Sequence, residues 1–319
     1  MTSLIIRAKY FIGFLAIIMM LLSCNSEESV GETSKDSIIV DIDSTRNTKI
    51  DTVIIDTLPD VKYSILILND STRNQISTQF ELEHLKTICA LNRIDIDRLH
   101  RADSLIIPDS FYVDLINYSP FPLEYLKADS IHKLIMISYP LQAFAVYNTG
   151  QLVRWGPLSM GKRTTQTPIG LFHTNWKSKS QISTDNPDWI LPWYFNLINS
   201  TGVSLHQFEL PGFPASHSCI RLREEDAQWI YNYADQWKLN SKGWKILVEG
   251  TPVIIFGQYP FGKPRPWYSL VIDSKSNRIS ADSLDKEITP FYEKILLEQK
   301  TRLRFYADTL KQDTIAPIL

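Results

Sequence analysis

Apolar and polar positions divide the chain into five stretches. Residues 1–24 carry Arg7 and Lys9, then a nearly unbroken apolar run from Tyr10 to Leu22 that stops at Ser23-Cys24. A short apolar core behind positive charge is the pattern of a signal peptide, not of a folded element. Residues 25–77 are rich in Ser, Thr, Asp and Glu, bury little, and are expected to act as a polar tether. Asp43-Ser-Thr-Arg-Asn47 recurs there as Asp70-Ser-Thr-Arg-Asn74, and two copies do not make a solenoid. From Thr78 the period changes. Phe80, Leu85, Ile88 and Cys89 have helical spacing, a second short helix is expected around Ile96–Leu99, and Asp103–Pro108 reads as a terminal strand. These form a small α-rich unit over 78–115.

The stretch 131–257 is written in short strands with turn signals between them. Lys133–Tyr139, Gln142–Tyr147 and Gln151–Trp155 are apolar runs, the last two joined at Asn148-Thr-Gly150 as a hairpin. Trp193–Leu197, Gly202–His206, Lys245–Val248 and Pro252–Phe256 supply more strands. One helix of about fifteen residues is expected after Cys219, with Ala227, Ile230, Ala234 and Trp237 on one face. Regular short strands and a single helix predict a mainly β domain, sandwich or barrel-like. Beyond it, residues 258–319 open with a Pro-rich loop. Thr289-Pro290 then starts a helix through about Lys311, with Phe291, Ile295, Leu303, Phe305 and Tyr306 as docking candidates.

Composition narrows the field in two ways. Thirty-three Lys and Arg against 35 Asp and Glu imply no general affinity for nucleic acid. With three Cys, six His and no Cys-x-x-Cys pair, zinc-finger chemistry has no framework. Cys89, in its helical stretch, reads as a buried small hydrophobe.

The chemistry concentrates in residues 204–222, where two His and one Cys fall together: His206, a turn-rich Leu-Pro-Gly-Phe-Pro loop, then Ser216-His217-Ser218-Cys219-Ile-Arg221-Leu. A thiol nucleophile needs a nearby imidazole to take its proton and a polar pocket for the oxyanion that forms on attack. Cys219 is therefore the candidate nucleophile, and His206 and His217 are both candidate bases, since proximity in sequence does not fix which imidazole faces the sulfur. Zinc is the rival chemistry for one Cys and two His, but no fourth ligand is placed. No metal or cofactor is expected.

The order hairpin, Met160-Gly, Thr167-Pro-Ile-Gly, strand ending in His206, loop, Ser216-His-x-Cys219-Ile-Arg-Leu resembles the L,D-transpeptidase catalytic domain (YkuD-like) over residues 131–257. The resemblance implies an enzyme that remodels peptidoglycan. Its Cys attacks a stem tetrapeptide, releases the terminal D-alanine, and passes the acyl group to an amine or to water. It implies Cys219 as nucleophile, His206 as base and His217 beside the nucleophile, with Ser216, Ser218 and Arg221 shaping the turn and the oxyanion pocket. Two positions depart from the family: Ser218 stands where Gly is usual, and Gln207 where Gly commonly follows the base. The loop from Gln207 to Ser216, ten residues, is also short. Leu21-Leu-Ser-Cys24 resembles the bacterial lipobox, implying a lipid on Cys24 that tethers the protein to a membrane of the cell envelope. Leu91-Asn-Arg-Ile-Asp95 and Arg101-Ala-Asp-Ser-Leu-Ile-Ile-Pro108 resemble the later half of a LysM module, a binder of cell-wall glycan; a helical linker packed on the main domain is the alternative. For the whole protein, the expected partners are peptidoglycan stem peptides and, through the lipid, a membrane. The competing function is a wall-binding lipoprotein without catalysis.

Overall fold

The structure, a computed structural model, describes residues 58–315. Cys24 and the signal-peptide stretch lie outside the described residues, as does most of the tether.

Residues 63–77, expected within the tether, are folded instead. Strand β1 (Tyr63–Ile67) precedes helices α1 (Asp70–Gln79) and α2 (Leu82–Asn92), and strand β2 (Ser104–Pro108) returns antiparallel to β1. The second Asp-Ser-Thr-Arg-Asn copy is the first turn of α1. Asn69 accepts from the N–H groups of Ser71 and Thr72, and Thr72 caps back onto the Asn69 N–H, a capping box that the polar composition hides. Leu68, Ile76, Leu85, Ile88, Cys89, Leu99 and Leu105 make a small core of their own. This β-α-α-β unit supplies the first strand missing from the sequence reading of 78–115.

The stretch 131–257 forms one nine-stranded sheet. Its strands in chain order are β3 (Leu134–Ser138), β4 (Ala143–Asn148), β5 (Gln151–Ser159), β6 (Gly170–His173), β7 (Lys177–Ile182), β8 (Ile190–Ile198), β9 (Val203–Gln207) and β10 (Ile220–Leu222). Helix α3 (Glu224–Tyr233), the small hairpin β11 (Lys238–Leu239) and β12 (Ile246–Val248), and strand β13 (Pro252–Phe256) complete it. The hairpin pairs only with itself; the sheet order is β6-β13-β3-β4-β5-β10-β9-β8-β7. The long β5 belongs to both halves: Gln151–Pro157 pairs with β4, Leu158 and Ser159 with β10.

The two halves face each other like a sandwich. Ile135, Ile137, Phe144, Val146, Val253 and Ile255 of one half share a core with Phe195, Leu197, Leu205, Ile220 and Leu222 of the other, closed by Ala227 and Ile230 of α3. The opposite face of β3, β4 and β13 is covered too. Leu134, Met136, Ala145 and Ile254 pack against Leu284 and Ile288 of α4 (Ala281–Ile288) and Ile295 of α5 (Tyr292–Ile315). Burial on both faces explains why β3 and β4 read as apolar runs without alternation. Helix α3 is shorter than expected; it ends at Tyr233, and Trp237 falls beyond it. On the C-terminal helix Ile295 is buried, whereas Leu303 and Tyr306 are exposed; Phe291, in the turn just before it, packs on the core. Polar contacts do the rest: His173 meets Glu298 at 2.9 Å and Arg302 lies 3.7 Å from Asp235. No described helix is long and apolar enough to cross a membrane.

Candidate active site

Strand β10 runs parallel to β9, with Ile220 opposite Leu205 and Arg221 opposite His206. Side chains alternate along a strand, so this register sorts the residues by face. Leu205, Ile220 and Leu222 point into the core shared by the two halves. Ser204 and His206 on β9, with Cys219 and Arg221 at the start of β10, take the other face. That face opens on a shallow cleft lined by His206, Cys219, Arg221, Ser216, His217 and, across it, Asp185 and Trp189.

His206 is buried, and its Nδ1 lies 2.9 Å from the Gln207 carbonyl. A carbonyl only accepts, so Nδ1 carries the proton and Nε2 keeps its lone pair. Burial depresses the imidazole to about 4, against the Gln207 bond that raises it, with Arg221 adding to the depression. It is neutral at neutral pH. The carbonyl of Gln207 does this work, so its side chain in place of Gly is not involved.

The Cys219 sulfur stands 3.5 Å from Ser204 Oγ and donates toward the Gly202 carbonyl at 3.7 Å. Burial pushes the thiol above its ordinary range, while the Ser204 hydroxyl and N–H and the Arg221 charge pull it down. The two groups lining the cleft are thus a thiol and a neutral imidazole at rest, not a thiolate–imidazolium pair, and the thiol is not of the low-pKa kind. Ser204 escaped the sequence reading. Its signal was the period of two: it precedes His206 by one strand repeat.

The Ser216–Cys219 turn is held from beneath. Ser216 Oγ donates to the Cys219 carbonyl at 2.5 Å, and its N–H donates to the Met160 carbonyl. Thr167 Oγ1 donates to the Ser218 carbonyl at 2.9 Å and accepts the Gly161 N–H at 2.9 Å. Tyr139 donates its hydroxyl proton to the Gly161 carbonyl at 2.5 Å.

Ser218 has φ +88°, in the region that favours glycine, which explains why glycine is usual there in the family it resembles. Its hydroxyl reaches only the Thr165 carbonyl, at 3.4 Å. Ser218→Gly is expected to raise unfolding free energy by up to about 1 kcal/mol, the strain relieved less the extra chain entropy. Chemical denaturation checks this; a destabilised Gly variant refutes it.

His217 sits at the rim. It is exposed, with Nε2 2.7 Å from Lys162 Nζ and Nδ1 3.3 Å from Asp185, and its ring meets Trp189 edge to face. Arg221 lines the cleft with its guanidinium over Phe208 at 4.5 Å. Trp193 packs against Tyr231 and the core instead of the cleft, while Tyr194 donates to the same Gly202 carbonyl that Cys219 faces. Among the described residues, no group of three or more His, Cys, Asp or Glu is arranged to hold a metal ion.

The YkuD family model, L,D-transpeptidase catalytic domain, matches residues 132–255. A curated protein of Mycobacterium tuberculosis (strain ATCC 25618 / H37Rv), Probable L,D-transpeptidase 3, is 34% identical over 94 residues, covering 25% of this chain and 35% of that protein. The chain thus spans about a third of the length of the curated relative it matches. Among solved structures, an L,D-transpeptidase (Yku) from Stackebrandtia nassauensis is similar at 21% identity and TM-score 0.33, over 40% of this chain and 57% of that one. L,D-transpeptidase 1 of Mycobacterium tuberculosis is similar at 24% identity and TM-score 0.30, over 39% and 62%. Residues 132–255 are thus similar to the L,D-transpeptidase catalytic domains of the YkuD family.

Proposed function

We propose that this protein is a peptidoglycan L,D-transpeptidase with Cys219 as nucleophile and His206 as general base. The observation that carries the reading is the parallel β9–β10 register, which sets His206 and Cys219 on one face of adjacent strands, with the imidazole neutral and its Nδ1 already engaged.

The thiol proton passes to His206 Nε2 as sulfur bonds to the carbonyl carbon of the stem residue preceding the terminal D-amino acid. Collapse of the oxyanion breaks the C–N bond, and the leaving D-alanine takes the proton from His206. This leaves a thioester on Cys219. An acceptor amine then attacks it, giving up a proton through His206, and the amide forms as the thiol is restored; with water the product is a carboxylate. Backbone N–H groups of the Ser216–Cys219 turn serve the oxyanion, and Arg221 and His217 shape the cleft around it. Because the resting thiol is protonated, proton transfer accompanies attack and does not precede it.

The envelope setting rests on the leader pattern ending at Cys24, which supports a lipid-anchored protein outside the cytoplasm. The β-α-α-β topology, with the first strand now in place, supports a LysM-like wall-binding module over 63–108.

The test is intact-mass spectrometry of a soluble fragment beginning at Ser26, incubated with a disaccharide-tetrapeptide, beside Cys219→Ala. An acyl adduct with loss of D-alanine on the parent fragment alone is expected, and the fate of the adduct tells cross-linking from trimming. Binding of the muropeptide with no adduct would refute the enzyme in favour of the non-catalytic lipoprotein.

A further inference from the structure

The loop joining His206 to Cys219 has two sets of anchors. Its later part is held by the catalytic domain: Ser159 Oγ donates to the Phe213 carbonyl at 2.7 Å and accepts the Ala215 N–H at 3.2 Å. Its earlier part is held by the N-terminal β-α-α-β unit. The Asp95 N–H donates to the Leu210 carbonyl at 3.0 Å, and the Leu210 N–H donates to Asp95 Oδ2 at 2.7 Å. Ile94 and Pro211 form an antiparallel bridge beside that pair, and Arg98 is ion-paired to Glu209. From there the contact continues into the cleft, because Arg221 donates to the Glu209 carbonyl at 3.4 Å and lies over Phe208. Both segments belong to one compact unit of the fold.

We infer that Asp95 is a positioning residue for the reaction, a clamp by which the N-terminal module fixes the loop between base and nucleophile. The inference rests on the proposed use of Cys219 and His206 and adds a part of the chain outside the catalytic domain to the working site. Leu210 is fully buried, so its N–H and carbonyl must find partners, and among the described residues both are supplied by Asp95. A capping side chain from the loop itself would have served a purely local turn; here the partner lies 115 residues away in sequence. Around the carboxyl stand Asp97 and Arg98 of its own segment, Glu209 of the loop, and Arg223 and Glu225 at the start of α3. Burial raises the carboxyl to about 6, with the Leu210 N–H opposing, so at neutral pH it is ionised and the bond to Leu210 is charge-assisted. Loss of the clamp frees Glu209–Pro211 and, with them, Arg221 and Phe208 at the wall of the cleft.

The experiment compares Asp95→Ala, Asp95→Asn and Arg98→Ala in the soluble fragment that keeps the module. It reads amide hydrogen exchange at Leu210, the rate of Cys219 acylation by the muropeptide, and the rate of Cys219 alkylation by iodoacetamide. Asp95→Ala is expected to deprotect Leu210 and slow acylation by about ten- to a hundredfold, the scale of a small misplacement of reacting groups. Asp95→Asn keeps an acceptor oxygen and is expected to restore most of both, which a role in bulk stability alone does not predict. Unchanged acylation in an Asp95→Ala protein whose Leu210 amide exchanges freely overturns the inference, as does an equal loss in Ala and Asn variants. Should the Ala variant fail to fold, Arg98→Ala decides: a several-fold slower acylation is expected, and an unchanged one overturns it. If the parent fragment takes no acyl group, the transpeptidase reading fails, and the alkylation rates still judge the clamp: altered in Asp95→Ala and restored in Asn for it, equal in all three against it.

Discussion

Acylation of Cys219 slows by roughly 10²–10⁴-fold in a His206→Ala variant, the usual worth of a positioned general base. The loss is expected to be large because the thiol has no other route to the thiolate. Burial holds it above its ordinary range, with the Asp185 charge adding to this, and its hydrogen-bond contacts among the described residues are the Ser204 hydroxyl and the Gly202 carbonyl, neither a base at neutral pH. His217 does not substitute, since its two ring nitrogens are engaged with Lys162 and Asp185 at the rim. The pH profile gives the matching signature. Only neutral His206 accepts a proton, and its pKa is held near 4, so the acid limb of the acylation rate falls near pH 4 and not near 6.5. The same shift has a stability consequence of definite sign. Below about pH 6.5 the unfolded chain takes up a proton on this residue that the folded one refuses, so its contribution is full above that pH and lost as pH falls toward 4. The size is on the order of 3 kcal/mol. A denaturation series between pH 7 and 4 on parent and His206→Gln proteins checks it; the Gln protein should show the shallower fall. An acid limb near pH 6.5 in the parent, or rapid acylation in the Ala variant, removes His206 from the role.

Gly161→Ala disables the site without touching a catalytic group. A Cβ built there comes 2.1 Å from the Thr165 carbonyl oxygen and 2.6 Å from the Thr167 nitrogen, both backbone, so no side-chain rotation relieves it. Gly161 is also where the supports of the nucleophile turn meet: it donates to Thr167, accepts from Tyr139, and bridges to Ser216. Overpacking of this kind costs about 1–3 kcal/mol in stability. Displacing Ser216 and Thr167 then moves Cys219 against His206, and a shift near 1 Å costs about 10²-fold in rate. Denaturation and single-turnover acylation measure the two effects separately. A folded Ala variant acylating at the parent rate contradicts the proposed support.

What the sequence made legible depended on how local the cause was. The strand carrying His206, the hairpin at Asn148–Gly150 and the helix after Cys219 are each written within a few residues, and each element is found where expected. Strand β1 was invisible because alternating Tyr63-Ser-Ile-Leu-Ile67 is a strand only once Ser104–Pro108 lies beside it. His217 shows the limit of proximity: two residues from the sulfur, it is carried to the rim by the turn at Ser218. Thr167, Tyr139 and Asp95 reach the site only through tertiary contact. Periodicity cannot announce such contacts, although the phase of β9 was enough to mark Ser204 beside His206.

A thiol kept protonated at rest has a second consequence, in redox chemistry. Peroxides attack the thiolate, so a thiol that burial holds protonated at rest is slow to form a sulfenic acid. Cys89 reinforces this by being no partner at all: it is buried in the N-terminal core, with its thiol pushed up to about 12. Of the two cysteines described, only Cys219 offers an oxidant a reachable sulfur, and the burial that makes it wait for a base also shelters it.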